Sequence, residues 1–460
     1  MFKKILVANR GEIAVRVLRA CREMGIKSVA VYSEADRESL HVRAADEAVC
    51  IGPAPSRESY LNMASVLAAA KITGAEAIHP GYGFLSENED FAEACAQAGV
   101  VFIGPKPDAI RTLGYKSEAK ALAKKARVPV VPGTDGLVRG DALKEARAIG
   151  LPVMIKAAAG GGGKGLRLAK TEEELKTQLL TAQSEAKAAF GDDAVYLERY
   201  LGHPRHVEIQ VAADAYGNAV AFPERDCTVQ RRNQKLIEES PSPALDLKMR
   251  REMQEAAVRL VHESGYTNVG TVEFLVQDGQ FYFIEVNTRL QVEHPVTESV
   301  TGLDLVQTQI LVAAGEKLPF DQARAAQIRA WSMEHRINAE DPDHNFAPCP
   351  GKIEALRLPG GPGVRLETHL YAGYTVPSHY DSLLAKLVLF APTRPEVLAR
   401  SRRALSEFEV SGIRTTIGFH QKVLAHPDFI GGDFDTHLSE KILETPHDRD
   451  AQKRHPTAVA

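Results

Sequence analysis

Five polar side chains occupy alternate positions between residues 285 and 293. They are Glu285, Asn287, Arg289, Gln291 and Glu293, which together offer two carboxylates, two amides and a guanidinium. In an extended strand alternate side chains share one face, so this spacing predicts a single polar stripe. Carboxylate and amide oxygens of this kind are ligands that Mg2+ takes. The simpler alternative is a half-buried strand whose polar face lies in water.

A second carboxylate is expected to face Glu285 across a hairpin. Glu273 lies in TVEFLV and Glu285 in FYFIEVN, and the Asp-Gly pair 278–279 connects these apolar strands. A two-residue loop would place Glu273 opposite Ile284, whereas a three-residue loop with a glycine bulge would place it opposite Glu285. We favour the second register, in which the two carboxylates need a cation between them and Asn287 adds an amide oxygen. The alternative is two solvated glutamates at a sheet edge.

A glycine run, Gly160–Gly163, separates two short strands in PVMIKAAAGGGGKGLRLAK. It is not a P-loop, because Ala158 and Gly165 stand where that motif needs glycine and serine or threonine. The backbone N–H groups of such a hairpin can approach an anion closely, although a mobile solvent loop fits the pattern as well. Lys156, in an otherwise apolar strand, needs a counter-charge, and a phosphate is one.

The surrounding pattern predicts the elements that must position these groups. Residues 1–113 alternate strands and helices, as in a Rossmann-like parallel sheet, but the first turn, ANRGEIA, lacks the G-x-G-x-x-G of a dinucleotide site. We expect a second domain over 114–330 with a hinged insertion over about 131–202. A mixed α+β domain over 331–446 and a disordered tail over 447–460 complete the predicted organisation.

Composition excludes several classes of protein. The 460 residues carry a formal net charge of -4, which gives no basic field for nucleic acid. The five cysteines are widely spaced without a C-x-x-C pair, which favours a reducing cytoplasm. The apolar run at the N-terminus is too short for a signal peptide, and no apolar segment is long enough to cross a membrane.

Eight motifs, in order from about Lys3 to Leu438, resemble those of the biotin carboxylase component of biotin-dependent carboxylases, which are ATP-grasp ligases. They are ANRGEIAVR, HPGYGFLSEN, IKAAAGGGGKG, RHVEIQV, ERDCTVQRR, FIEVNTRLQVEHPVTE, INAEDP and YDSLLAKL. The resemblance implies a three-part ATP-grasp fold with a mobile lid. It also implies carboxylation of biotin by bicarbonate and ATP through carboxyphosphate, as the first half-reaction of acetyl-CoA carboxylase in fatty acid synthesis, or of a pyruvate, propionyl-CoA or other acyl-CoA carboxylase.

The resemblance also implies roles for individual residues. Glu273, Glu285 and Asn287 would bind Mg2+ or Mn2+. Glu293 would be the base, Arg289 and Lys235 would bind bicarbonate, and Arg336 would stabilise the biotin enolate. Gln291 and Val292 would lie beside bicarbonate and Tyr82 beside biotin. The residues implied to bind ATP are Lys116, Lys156, Gly161, Gly162, Gly163, Glu198, Arg199, Leu201, His206 and Gln230. For Arg336, an ion pair with Glu334 or Glu340 is the structural alternative.

The same resemblance implies partners. Because no Ala-Met-Lys-Met motif and no carboxyltransferase region occur in the sequence, the biotin carrier and the carboxyltransferase would be separate chains. A homodimer through the first helix and third domain would use Arg16, Arg19, Glu23 and Arg365, although these charges also fit a solvated face. The departures from the family pattern are Tyr115, Ala159, Lys164, Asn233 and Pro362.

Three rival interpretations stay open. Another ATP-grasp ligase would keep the ATP and Mg2+ residues without HPGYGFLSEN and the set of Arg289, Glu293 and Arg336. A nicotinamide oxidoreductase would rest on the first domain alone. An inactive ATP-binding scaffold is suggested by Tyr115 and Asn233.

Overall fold

A computed structural model describes residues 1–134, 136–138, 140–158 and 165–444 of the chain. The predictions for Gly161, Gly162 and Gly163, for the departures Ala159 and Lys164, and for the tail over 447–460 lie outside the described residues.

The N-terminal part contains a five-stranded parallel sheet. Its strands, in spatial order, are Glu47–Gly52, Lys27–Ser33, Lys4–Val7, Ala77–His79 and Val101–Phe102. The parallel α/β pattern predicted for residues 1–113 is therefore confirmed. The helices of this part are Gly11–Glu23, Leu40–Ala44, Met63–Thr73, Glu89–Gln97 and Pro107–Gly114, with 3-10 turns at Glu34–Asp36 and Ser56–Glu58.

A small antiparallel sheet has Val153–Ala157 in its centre, between Leu166–Ala169 and Val195–Arg199. The helices Ala142–Ile149 and Glu172–Phe190 accompany it. Alternate residues of the strands bury one face, and the apolar cluster of this part includes Val153, Ile155, Leu175, Val195 and Leu197. The two short strands predicted around the glycine run are thus present, and Lys156 lies on the opposite face from this cluster.

A nine-stranded sheet forms the centre of the molecule. Its strands, in spatial order, are Gln280–Asn287, Asn268–Gln277, Arg205–Ala213, Arg225–Arg231, Gln234–Ser240, Trp331–Asn338, Leu383–Ala391 and Val364–Thr368, with Ala219–Ala221 beside Arg205–Ala213. Because Gln234–Ser240 pairs with Trp331–Asn338, the sheet continues across the boundary predicted near residue 330. The domain boundaries stay a prediction.

The remaining elements cover the faces and the end of this sheet. The helices are Lys116–Lys125, Leu247–Ser264, His294–Thr301, Leu305–Ala313, Gln322–Ala325, Arg394–Glu407, Ile417–Ala425, Pro427–Gly431 and Leu438–Glu444. Short strand pairs join Glu340–Asp341 to Ala347–Pro348, Gly351–Lys352 to Thr375–Val376 and Leu356–Arg357 to Glu409–Val410, and Pro342–His344 forms a 3-10 turn. Within the described ranges, none of the helices has the length and apolar character to cross a membrane.

The hairpin over residues 268–287 has the predicted register for a different reason. Glu273 faces Glu285, as expected, but Gln277 faces Gln280 across a two-residue turn at 278–279. Both turn residues have positive φ, as a tight hairpin turn requires. The extra residue is Ile284 in the second strand, because Glu273 pairs with Glu285 and Phe274 pairs with Phe283. The expected three-residue loop is therefore wrong, and a bulge next to Glu273 brings the carboxylates opposite each other.

The predicted polar stripe is only partly a strand. The strand ends at Asn287 and the next helix begins at His294, so the interval from Thr288 to Glu293 is not extended sheet. The backbone N–H of Thr288 donates a hydrogen bond to the Glu87 carboxylate at 3.0 Å instead of to a neighbouring strand. The extended conformation expected for this interval is therefore wrong.

Candidate active site

One large cavity gathers nearly all the residues that the sequence singled out. It has a volume of about 1050 Å³ and is lined by the N-terminal part, the small sheet, the central sheet and the C-terminal part. The predicted residues on its wall are Tyr82, Lys116, Lys156, Glu198, Arg199, Leu201, His206, Gln230, Lys235, Glu273, Glu285, Asn287, Arg289, Gln291, Val292 and Arg336. Glu293 lies just behind this wall and is fully buried.

Lys235 is the centre of a buried charge network. Its Nζ donates hydrogen bonds to Glu208 at 2.6 Å, Glu273 at 2.9 Å and Glu293 at 2.6 Å. Burial alone would lower the pKa of Lys235, but the three carboxylates raise it well above its ordinary value, so the ammonium stays charged. Glu208 was not predicted from the sequence. It lies in RHVEIQV, and like Glu273 it is a glutamate within an apolar strand, which was the pattern that identified Glu273. The structure pairs the two glutamates on adjacent strands.

Glu293 is held between two cations. Besides Lys235, Arg336 donates from Nη2 to its carboxylate at 2.9 Å. Burial alone would raise the pKa of Glu293, but Lys235 and Arg336 outweigh it and hold the pKa well below its usual range. Glu293 is therefore ionised and able to accept a proton.

Arg336 does not make the ion pairs expected as its structural alternative. Its side chain bonds to Glu238, with Nε at 2.6 Å, and to Glu293. Burial raises the pKa of Glu238 to about 7. Neither Glu334 nor Glu340 forms an ion pair with it in the described structure, so that alternative is wrong, and Arg336 instead faces the cavity beside the candidate base.

Arg289 connects the N-terminal part to the end of the hairpin. Its Nε lies 2.9 Å from Glu87, and its terminal nitrogens donate to Asn287 Oδ1 and Gln291 Oε1, both at 3.1 Å. Glu87 was not singled out from the sequence, although it lies within HPGYGFLSEN. The guanidinium is thus oriented on the cavity wall, where an anion could bind to it.

The candidate metal ligands already have cationic or amide partners. Glu285 pairs with Lys116 at 2.9 Å, and Glu273 accepts from Asn287 Nδ2 at 2.8 Å. The ring of His206 lies 2.9 Å from the other oxygen of Glu273. Burial alone would raise the pKa of Glu273, but Lys235 and His206 hold it well below its usual range. Two carboxylates and an amide on one wall fit a hard divalent cation such as Mg2+ or Mn2+.

The small sheet contributes a second group of cations. Glu198 lies between Lys156 at 2.5 Å and Lys120 at 2.9 Å, so the counter-charge that Lys156 needs is a carboxylate here. Lys120 was not predicted, and its Nζ also lies 5.3 Å from the ring centre of Tyr196. Arg199 donates to the Tyr282 hydroxyl at 2.8 Å. The apolar residues of this end of the cavity are Val131, Met154, Leu166, Leu201, Leu275 and Ile284.

Tyr82 lies over another buried charge that the sequence did not reveal. Its hydroxyl donates to Glu12, and that carboxylate pairs with Lys386 at 3.1 Å. Lys386 is fully buried and donates to the carbonyl of Val292 at 2.9 Å. Lys386 lies in YDSLLAKL, and a lysine within an apolar strand is a pattern that could have identified it from the sequence. Lys386 thereby fixes the backbone immediately before Glu293.

Two departures from the family pattern have structural settings. Asn233 has a φ of 65° in the turn between the strands Arg225–Arg231 and Gln234–Ser240, a conformation that asparagine adopts more readily than most residues. Tyr115 precedes the helix that begins at Lys116 and is more than half exposed. Neither Tyr115 nor Asn233 belongs to the charge network around Lys235.

The charges expected at a dimer surface are largely paired within the chain. Arg16 is buried and binds Glu298 at 2.9 Å and Asp304 at 2.7 Å. Arg365 binds the other oxygen of Glu298 at 2.8 Å. The alternative that these charges lie on a solvated face is therefore wrong for Arg16. The side chain of Arg19 is half exposed.

Comparison with known proteins covers almost the whole chain. Family models described as "Biotin carboxylase, N-terminal domain" and "Biotin carboxylase C-terminal domain" match residues 1–110 and 334–441, and "Carbamoyl-phosphate synthase L chain, ATP binding domain" matches residues 115–321. "Biotin carboxylase 1" of Bacillus subtilis is 54% identical over 97% of this chain and 99% of its own length. "Biotin carboxylase" of Haemophilus influenzae is 52% identical over 96% of this chain and 99% of its own.

Solved structures agree with this assignment. A biotin carboxylase from Campylobacter jejuni in a β,γ-ATP complex superposes with a TM-score of 0.92 at 48% identity, covering 96% of this chain and 99% of that one. The biotin carboxylase domain dimer of a Hydrogenobacter thermophilus 2-oxoglutarate carboxylase, in complex with MgADP, ADP and bicarbonate, has a TM-score of 0.92 at 46% identity. It covers 97% of this chain and 100% of that one. The expected three-part ATP-grasp architecture is thereby confirmed.

Proposed function

This chain belongs to the biotin carboxylase family, and from that premise we propose that it is the ligase that carboxylates biotin with bicarbonate and ATP. The observation that carries the proposal is the convergence of three cations, Lys235, Arg289 and Arg336, next to Glu293 and beside the facing carboxylates Glu273 and Glu285. The reaction brings together two anions, bicarbonate and ATP, so it needs cations to neutralise their charges and a carboxylate to accept a proton.

Bicarbonate activation is assigned to the end of the hairpin. Arg289 and Lys235 bind the anion, and Gln291 and Val292 border it. Glu293, already ionised, takes its proton while a bicarbonate oxygen forms a bond to the γ-phosphorus and the bond from that phosphorus to ADP breaks. The products of this step are carboxyphosphate and ADP. Phosphorylation converts an oxygen of bicarbonate, which is a poor leaving group, into phosphate, which is a good one.

Biotin carboxylation follows at the same place. Carboxyphosphate breaks into CO2 and phosphate, and the phosphate takes the proton from biotin N1. The nitrogen then forms a bond to the carbon of CO2, giving N1-carboxybiotin. Arg336 stabilises the negative charge on the ureido oxygen because its guanidinium is always ionised, and Tyr82 borders the biotin.

Nucleotide binding is assigned to the cavity between the small sheet and the hairpin. Lys116 and Lys156 contact the phosphates, and the other residues of this group are Glu198, Arg199, Leu201, His206 and Gln230. The apolar residues around Leu201 offer a surface for the adenine. The unpredicted Lys120 holds Glu198 from the opposite side to Lys156 and so positions it.

Glu273, Glu285 and Asn287 would hold Mg2+ or Mn2+, and the metal supplies charge neutralisation for the phosphates when it is bound. Lys116 pairs with Glu285 and Lys235 with Glu273. These two lysines therefore neutralise the carboxylates and are placed to contact phosphate or bicarbonate oxygens.

We also propose partners. A separate carrier protein presents biotin, a proposal supported by relatives named biotin carboxylase that this chain matches over 99% of their own length. A separate carboxyltransferase chooses the final acceptor, whether acetyl-CoA, another acyl-CoA or a keto acid. A homodimer is supported by the dimeric state named for the Hydrogenobacter domain, and a cytoplasmic location by the spacing of the cysteines.

Mass spectrometry of the product tests the proposal directly. The purified chain with Mg-ATP, 13C-bicarbonate and free biotin should form N1-carboxybiotin that carries one 13C atom. Omission of ATP should abolish the product. Formation of ADP without any labelled carboxybiotin would contradict the assignment and favour another ATP-grasp ligase.

A further inference from the structure

Two histidines and an aspartate meet away from the catalytic network. His203, Asp435 and His437 each offer one donor atom, and these atoms all lie within 4.8 Å of one another. Nδ1 of His203 is 2.8 Å from Oδ2 of Asp435, and Nδ1 of His437 is 3.2 Å from Oδ1 of Asp435. Each imidazole ring therefore contacts a different oxygen of one carboxylate, and the two ring centres lie 5.9 Å apart.

The backbone holds these three residues in place independently of their side chains. His203 belongs to the loop between the strands Val195–Arg199 and Arg205–Ala213, and its N–H donates to Gln277 at 3.0 Å. Thr436, between the other two residues of the cluster, donates from its N–H to the carbonyl of Pro204 at 3.2 Å. The ligand atoms are thus brought together by contacts that would persist if the side chains turned toward a metal ion.

We propose that His203, Asp435 and His437 form a binding site for a divalent transition-metal ion such as Zn2+. Imidazole nitrogens with a carboxylate oxygen are a common donor set for such ions, whereas Mg2+ prefers oxygen alone. Metal–ligand bonds of about 2.0–2.2 Å in a tetrahedron separate neighbouring donors by about 3.3 Å. The contacts of 2.8 Å to Oδ2 and 3.2 Å to Oδ1 of Asp435 are already close to that spacing.

Solvent access and charge also fit a cation. The side chain of His203 is 79% exposed, so water can complete the coordination. A second cavity of about 430 Å³ adjoins the cluster, and its wall carries three more carboxylates, Asp278, Asp428 and Asp433. The cations on this wall are Arg205, already bound to Asp226, and Lys441. With Asp435, four carboxylates face two cations, which favours binding of a metal ion over binding of an anion.

The location gives the site a structural consequence. Thr436 and His437 also line the large cavity, near residues assigned to nucleotide binding. A metal ion bound here would tie the loop that leaves the small sheet to the segment before the last described helix, Leu438–Glu444. The proposed site does not depend on the proposed activity, and its test needs no turnover.

Titration of the full chain, free of any histidine tag, tests the site. Zn2+ binding should be measured by calorimetry in excess Mg2+, which occupies the oxygen ligands of the active site. Co2+ in place of Zn2+ reports the coordination geometry through its visible absorption. We expect one Zn2+ per chain whose affinity falls at least about tenfold in His203→Asn and in Asp435→Asn, because loss of a direct ligand exceeds the loss measured for outer-shell partners.

A matched histidine–aspartate pair provides the control. His344 lies 2.8 Å from Asp341, is as exposed as His203, and belongs to none of the candidate metal groups of the described residues. The affinity for Zn2+ should be unchanged in His344→Asn. The proposal is overturned if the unsubstituted chain binds Zn2+ no more tightly than His203→Asn, or if His344→Asn weakens binding as much as His203→Asn does.

Discussion

Replacement of Glu293 by glutamine should remove the base and leave the fold intact. Glutamine has the same shape but cannot accept a proton as a carboxylate does. Lys235 keeps the carboxylates of Glu208 and Glu273, and Arg336 keeps Glu238. Because neither buried cation loses its last partner, the free energy of unfolding should fall by less than the roughly 3–5 kcal/mol that breaking a buried pair costs.

The catalytic effect should appear as a loss of turnover. A positioned general base contributes about 10²–10⁴-fold to a rate, so the bicarbonate-dependent turnover of Glu293→Gln should fall by that factor. Affinity for Mg-ATP should be unchanged, since Glu293 lies behind the cavity wall and the groups assigned to the nucleotide remain. The assays are ADP release with bicarbonate and free biotin, calorimetric binding of Mg-ATP, and thermal unfolding.

Glu239→Gln is the matched control. Glu239 is also buried and also bonded to an arginine, but that arginine is Arg394, whose other hydrogen bonds go to the backbone carbonyls of Ile430 and Phe429 and not to the network around Lys235. Its replacement should alter stability without a comparable loss of turnover. The assignment of Glu293 as the base is refuted if Glu293→Gln turns over as fast as Glu239→Gln, or if its main defect is loss of Mg-ATP binding.

Three further substitutions separate the other roles. Lys116→Ala should weaken nucleotide binding about ten- to a hundredfold, as loss of a charged hydrogen bond does, and an unchanged affinity would remove its phosphate role. Arg336→Met should reduce biotin-stimulated turnover about 10²–10³-fold with Mg-ATP binding retained, and full stimulation by biotin would exclude the enolate role. Burial lowers the pKa of His79 to about 4, so the native state stays neutral while the unfolded chain takes a proton near pH 6.5. His79 should therefore contribute a fall in stability of up to about 3 kcal/mol between pH 6.5 and pH 4, and His79→Asn should make the pH dependence shallower by that amount in unfolding titrations; an identical slope would contradict it.

The hairpin shows how far local sequence patterns predict this molecule. Apolar content predicted both strands, and the chosen hairpin register predicted that Glu273 faces Glu285; both predictions are confirmed. The turn was predicted wrongly because a bulge at Ile284 and a longer loop both place Glu273 opposite Glu285, and the sequence does not distinguish them. The stripe beyond Asn287 was predicted as strand, but the contact of Thr288 with Glu87, two hundred residues earlier, ends the strand.

The charge network shows what could not be predicted. Its members lie on separate strands, and their meeting depends on the register of the central sheet, which no local pattern contains. The sequence marked Lys156 as a lysine that needs a counter-charge but could not identify Glu198 as its partner. Lys386 and Glu208 carry a similar signal, a charged residue within an apolar strand, and that signal applied throughout the chain would have found both.

The dependence of ADP release on bicarbonate and biotin tests the central claim most directly. The purified chain with Mg-ATP should release ADP only when bicarbonate is present, and free biotin should raise the rate. Nucleotide binding with no response to either compound would contradict the assignment of this cavity to biotin carboxylation.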